Sequence, residues 1–250
     1  MIAFFDKGLY PLLAELFRTT TEGAALALFF GCVLLAGVIG YFLGGINSAI
    51  LISKLFYRDD IRRHGSGNAG TTNMLRTYGV GAAIGTLLGD ILKTVLSILI
   101  AYTLTGTGWV SGFAVELASM GAYVAALGCV MGHVFPVYYG FRGGKGVLCA
   151  STAIAMLSPY VFLFLLLIFV VTVAITKYVS LGSCLAAAVY PLFLNGLCVG
   201  IVGAYPLGHA TVISILLAVL ILYLHKDNIK RLRAGEEHRI SFRKKEDKHD

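Results

Sequence analysis

The sequence predicts an all-α integral membrane protein of about seven transmembrane helices, with its N-terminus outside and its C-terminus in the cytoplasm. Three observations carry this. Of 250 residues, 58% are apolar and only 13% charged, with a mean hydropathy of +0.83, whereas soluble domains are about half apolar and about a quarter charged. Long apolar runs recur at the roughly 20 residues needed to cross about 30 Å of hydrocarbon. Basic residues gather in alternate loops, which orients the chain. In a soluble protein the formal charge of +7 would suggest nucleic acid; here its position along the chain matters, and no nucleic acid partner is expected.

Residues 1–23 form an N-terminal extension with neither a basic leader nor an Ala-x-Ala cleavage site, so it reads as a retained interfacial segment. The membrane domain occupies 24–225, with apolar runs at 24–53, 79–104, 112–131, 146–158, 159–176, 179–204 and 208–224. The fourth is short and is cut off by Pro159, as a partial helix packed inside a bundle would be. With an odd number of spans, Lys54, Arg58, Arg62, Arg63, Arg76, Arg142, Lys145, Lys177 and the tail share one side; Lys7 and Arg18 lie on the other. The tail, 226–250, holds nine Lys and Arg from Lys226 to Lys248, so the positive-inside rule makes that side cytoplasmic. Gly40/Gly44, Gly81/Gly85/Gly89 and Gly128/Gly132 have the small-xxx-small spacing of closely packed helices. The five cysteines lack CxxC spacing and lie in or beside apolar runs, so they read as small core residues.

Three polar clusters fall on the predicted cytoplasmic face, two of them in loops 57–78 and 133–146. The first, His64 to Arg76 (HGSGNAGTTNMLR), offers glycine backbone N–H groups and Ser, Asn, Thr and Arg donors to an oxyanion. Its Gly65, Gly67 and Gly70 spell GxGxxG, but the motif follows an apolar run instead of a strand, and Asp90 falls inside the next run, so a dinucleotide site is excluded. In the second, Arg142-Gly143-Gly144-Lys145-Gly146 can wrap a phosphate; Tyr139 and Gly146 stand where a Walker A loop needs Gly and Ser or Thr. In the third, His225, Asn228 and Arg231 recur every three residues on one drifting helical face. A basic tail attracted to anionic lipid explains that segment equally well. Asp90 and Lys93, one turn apart inside a span, fit a functional pair or a neutralising structural one. Asn47 and Ser48 read as helix-packing contacts, and Glu116 takes no role.

Together GSGNAGTTNMLR, GHVFPVYYGFRGGKG and HKDNIKRLRAGEE, with YFLGG, the Asp90/Lys93 pair and KYVSLGS, resemble the motifs of the bacterial acyl-phosphate:glycerol-3-phosphate acyltransferases, the PlsY family. The resemblance implies a multi-pass inner-membrane enzyme with its active site facing the cytoplasm. It would move an acyl group from acyl phosphate to the 1-hydroxyl of glycerol 3-phosphate, giving lysophosphatidate and phosphate. Membrane lipid is the further partner; no cofactor and no metal are expected. Lys145, His225 and Arg76 would be catalytic. Gly65, Ser66, Gly67, Asn68, Gly70, Thr72, Asn73, Arg76, Gly143, Gly144, Lys145, Gly146, His225, Asn228, Arg231 and Glu237 would bind substrate and phosphate. Thr71, Gly45, Asn47 and Leu148-Cys149 depart from the family pattern.

The usual pair of other glycerol phosphate acyltransferases, a His followed by Asp five residues on, does not occur: none of the six histidines has Asp five residues after it. An acyl phosphate, being a mixed anhydride whose phosphate can accept a proton, suits substrate-assisted direct transfer. The alternatives are an anion or glycerol phosphate transporter, or a scaffold that binds anionic lipid.

Overall fold

A computed structural model describes residues 9–16, 22–106, 113–197 and 208–240. Among these the chain forms α1 (Leu9–Leu16), α2 (Glu22–Gly45), α3 (Ser48–Tyr57), α4 (Thr71–Tyr78), α5 (Val80–Thr105), α6 (Phe113–Val134), α7 (Val147–Leu157), α8 (Pro159–Thr176), α9 (Val179–Leu197), α10 (Gly208–Leu224) and α11 (Lys226–Ala234), with no strand. Lys7, Arg18, the side chain of Glu116, the end of the sixth apolar run and the tail beyond residue 240 lie outside the described residues.

Five described helices are long and apolar enough to span: Gly23–Tyr57, Val80–Thr105, Ser119–Tyr139, Pro159–Thr176 and Val179–Gly196. A sixth is reached if α10 and α11, bent by 53°, count as one. Of the about seven spans expected, the fourth is the short one, as its end at Pro159 suggested. Helix α7 has 11 residues, about 16 Å at an α-helical rise, well short of the hydrocarbon thickness. It ends because Ser158 leaves helical geometry (φ −149°, ψ 69°) and Pro159 starts α8 at its first position. The short helix still reverses the chain. Val147 lies beside Lys145, and at the far end the Ser158 hydroxyl is 3.2 Å from that of Tyr123. Helix α8 then returns, and the Lys177 carbonyl accepts from the Ile240 N–H at 2.9 Å.

The first apolar run is also not continuous. It breaks at Ile46–Asn47, where the Asn47 side chain caps α3 by accepting from the Ile50 N–H at 3.1 Å. The Lys93 ammonium donates to the Gly44 and Ile46 carbonyls at the break, at 3.0 and 3.1 Å. Glycine spacing sets the contact of α2 with α6. A methyl on Gly40 or Gly44 would strike the backbone of Ala125 or Cys129, and one on Gly128 or Gly132 would strike that of Gly37 or Tyr41. In lipid this close approach supplies the packing that hydrophobicity cannot. Gly85 and Gly89 face Ile52 and Ser48, but Gly81 faces open space, so the third member of that glycine row packs on nothing.

Candidate active site

One cavity of about 720 Å³ gathers residues from all three polar clusters. Its mouth is polar and its shaft is apolar. Ser66, Gly67, Asn68, Gly70, Thr72 and Asn73 reach the mouth with Arg76 from α4; Lys145 and Gly146 come from the second loop; His225, Asn228, Arg231 and Glu237 come from the third segment. Below them, α7, α8, α9 and α10 supply the apolar walls, among them Leu148, Phe162, Leu165, Ala187 and Leu217. Such a cavity fits an amphiphile with an anionic head.

The first loop is shaped by Asn73. Its amide donates to the carbonyls of His64 (2.9 Å), Asn68 (3.0 Å) and Ile61 (3.3 Å) and accepts from the Ser66 N–H at 3.0 Å. It therefore braces the loop. Gly65 lies against the Asn73 amide and does not line the cavity. The Ser66 and Asn68 side chains and the start of α4 do reach it. Arg62 joins the two loops: it pairs with Asp60 at 2.6 Å and donates to the Tyr139 and Arg142 carbonyls at 2.8 and 3.1 Å. Those bonds from Arg62 hold the Asp60 carboxyl down at about 2, below the usual carboxylate range.

The second loop departs from expectation. The Gly143 and Gly144 N–H groups donate to the Val134 and His133 carbonyls, each at 3.1 Å, so they cap α6 and do not cradle an anion. Neither glycine lines the cavity. Both are needed as glycine because a Cβ on either would collide with His133. Gly146 adopts φ +75° with Val130 close by, the turn that starts α7 and presents Lys145 to the mouth.

At the third segment the 53° bend falls at His225 and still leaves His225, Asn228 and Arg231 facing the cavity. The His225 Nδ1 lies 2.8 Å from the Ile221 carbonyl, which can only accept, so Nδ1 carries the proton and Nε2 of the neutral ring is an acceptor. Lys145 donates to the Asn228 side-chain carbonyl. Asn228, Ser180 and Arg231 then donate to Glu237 at 2.7, 2.9 and 2.8 Å. Burial, followed by the nearby Arg231 charge, lowers the Lys145 pKa. Burial acts to raise that of Glu237, but the bonds from Asn228, Arg231 and Ser180 outweigh it and lower it overall.

Beside the mouth is a buried cluster that adds Ser48 and His133 to the Asp90 and Lys93 pair read from the sequence. Asp90 pairs with Lys93 at 2.8 Å and accepts from the Ser48 hydroxyl at 2.9 Å, and the Lys93 Nζ is 2.9 Å from the His133 Nδ1. Ser48 is thus a packing contact through Asp90, and the Asn47 amide reaches the Ala69 carbonyl at 3.4 Å. Asp90, His133 and Cys149 lie close enough to hold a metal ion. The Lys93 ammonium, with two carbonyls, a carboxylate and an imidazole around it, already fills the cationic role there. Asp90 and His133 also line the cavity. The only sequence signal for His133 was its place in GHVFP, and for Ser180 its place in KYVSLGS.

A family model described as glycerol-3-phosphate acyltransferase matches residues 34–235. A glycerol-3-phosphate acyltransferase of Syntrophomonas wolfei is 41% identical over 204 residues, covering 82% of this chain and 95% of its own. That of Finegoldia magna is 38% identical over 211 residues, covering 83% and 96%. Among solved structures, PlsY (YgiH), an integral membrane glycerol 3-phosphate acyltransferase in its glycerol 3-phosphate form, matches with a TM-score of 0.68 at 33% identity, over 84% of this chain and 96% of that one. The lysophosphatidic acid form of PlsY matches at 0.65 and 32%, over 84% and 95%.

Proposed function

Because the chain belongs to the glycerol-3-phosphate acyltransferase family, a family with an integral membrane member of known structure, we propose that it takes its acyl group from an acyl phosphate. The acceptor is the 1-hydroxyl of glycerol 3-phosphate, and the products are lysophosphatidate and inorganic phosphate. The observation that carries this reading is a cavity that joins a cationic mouth to an apolar shaft. An acyl phosphate has that shape, with its reacting carbonyl at the junction.

In the proposed reaction the glycerol hydroxyl oxygen attacks the acyl carbonyl carbon. The bond from that carbon to the phosphate oxygen breaks, the phosphate leaves with the electron pair, and the hydroxyl proton passes to a phosphate oxygen. Lys145, Arg76 and Arg231 hold the two phosphates, aided by Ser66, Asn68, Gly67, Gly70, Thr72 and Gly146 at the mouth. Asn228 and Glu237 orient Lys145 and Arg231. His225, through Nε2, accepts from a substrate hydroxyl and aligns it. Positioning supplies about 7–11 kcal/mol of the barrier and an aimed donor about 3 kcal/mol, so no covalent acyl-enzyme is needed. The mouth faces the cytoplasm of a bacterial inner membrane, and the short α7 with α8 makes the reversal that keeps all three motif segments on that face.

Transport is less well supported. A broken first span is a feature that a transporter would share, but its freed carbonyls bond to Lys93, and no residue of α9 beyond Tyr190 lines the cavity.

The test is to supply the purified protein with glycerol 3-phosphate and, in turn, acyl phosphate, acyl-CoA and acyl carrier protein. Only acyl phosphate gives lysophosphatidate, and no labelled side chain is trapped. Equal turnover with acyl-CoA rejects the donor assignment, and a trapped acylated residue rejects direct transfer.

A further inference from the structure

The apolar shaft has a visible end. On α9 the residues that line it are Val179, Ser180, Ser183, Ala186, Ala187 and Tyr190, one helical face. From His225 at the bend, the lining face runs down α10 to Leu217. Small side chains make the bore: Ala150, Ser183, Ala187 and Ala218 stand where larger ones would fill it. Past Tyr190 the helix continues, but no further residue of α9 lines the cavity. Tyr190 is 3% exposed and belongs to one packed cluster with Tyr123, Val161, Leu194, Ala210 and Ile213.

Helix rise converts these positions into depth. From Val179 to Tyr190 is about 16 Å, and from His225 to Leu217 about 12 Å. Carbon–carbon bonds of about 1.5 Å at tetrahedral angles advance about 1.25 Å each, so the shaft takes roughly ten to thirteen methylenes below the mouth. A longer chain must fold back or leave sideways between helices.

We propose that Tyr190 is the floor that sets the length of acyl chain this cavity accepts, with Ala187 and Ala218 keeping the bore open above it. The inference rests on the acyl-transfer reading of the same cavity. Tyr190 touches the far end of the chain and none of the reacting atoms, so it is a specificity residue: it governs which donor binds and leaves the transfer step alone.

The experiment measures kcat/KM for saturated acyl phosphates graded from octanoyl to stearoyl, with glycerol 3-phosphate as acceptor. The parent has its optimum near a dozen carbons and declines by about tenfold or more on the longest donors, a loss expected when surplus methylenes find no room. Tyr190→Ala moves the optimum up by about four carbons, the length of the ring removed. Ala187→Phe, about one turn above, moves it down by a similar amount. Glycerol 3-phosphate binding with the parental affinity in each variant, measured without an acyl donor, reports an intact fold and mouth. Tyr190→Leu serves if the alanine variant does not fold, and its optimum moves in the same direction by less.

An unchanged length profile in the Tyr190 and Ala187 variants overturns the proposal, as does a parental plateau through stearoyl, which would mean that the chain leaves sideways. Acyl transfer with an unshifted profile rejects the ruler and keeps the function. No transfer by the parent from any acyl phosphate rejects the function itself.

Discussion

Lys145 is the residue on which the proposed chemistry leans most, and its surroundings make its charge sensitive to pH. Burial and the neighbouring Arg231 favour the neutral amine, so the ammonium is lost at a lower pH than in an ordinary lysine. Phosphate binding by the free enzyme should therefore weaken as pH rises through that lowered value. The check is a pH profile: kcat/KM falls on the alkaline side, while kcat alone holds to higher pH because bound phosphate keeps the proton on. Lys145→Arg flattens the alkaline limb, since a guanidinium stays charged. Lys145→Ala lowers kcat/KM by about 10- to 100-fold at neutral pH, the size of a lost charge-assisted bond of about 1.5–3 kcal/mol. An alkaline limb that persists in Lys145→Arg assigns the titration elsewhere. Lys145 was legible from its sequence neighbours, but Gly143 and Gly144 were not. A glycine beside a lysine serves an anion or a close backbone contact, and spacing does not distinguish the two. Here both N–H groups cap α6.

At the scale of elements, the break between α2 and α3 shows how an intramembrane charge is kept. Two carbonyls are freed at Gly44 and Ile46, and Lys93 bonds both while pairing with Asp90 and meeting His133. Unsatisfied backbone is costly in hydrocarbon. Lys93→Met strands the Asp90 carboxylate and both carbonyls, at about 3–5 kcal/mol for breaking a buried pair. Thermal unfolding in detergent measures it: Lys93→Met falls furthest, and Asp90→Asn in that background recovers part of the loss. If the double variant loses the sum of the two single losses, the residues are uncoupled. The sequence placed Asp90 and Lys93 one turn apart but left their role open, because the deciding partners, Gly44 and His133, lie 49 and 40 residues away from Lys93. The shortness of α7 was legible in Pro159. The split of the first run was not, since Ile46 and Asn47 sit in an otherwise apolar stretch without a proline.

For the whole molecule, the membrane is the frame that turns three distant motifs into one mouth. Segments near residues 66–76, 145 and 225–237 meet only because an ordered set of reversals brings each to the same end of the bundle. That was the part of the fold most readable in the sequence, since basic loops on alternate turns already share a side. The apolar shaft was not readable: an alanine or serine facing a bore looks the same in sequence as one facing a helix. The common end also makes the proposed orientation testable in intact cells. Arg142 is exposed beside the mouth, and only its backbone carbonyl is needed, to accept from Arg62. Cys32, Cys129, Cys149 and Cys184 are buried, and Cys198, outside the described residues, is removed by Cys198→Ser to give the labelling background. With Arg142→Cys, a membrane-impermeant maleimide should leave intact cells unlabelled and label inverted vesicles, and acyl transfer should continue before labelling. Labelling in intact cells would place the mouth outside. The motif segments would then face away from the cytoplasmic supply of glycerol 3-phosphate, and the positive-inside reading of Lys54 to Arg76 and of the tail would fall with it.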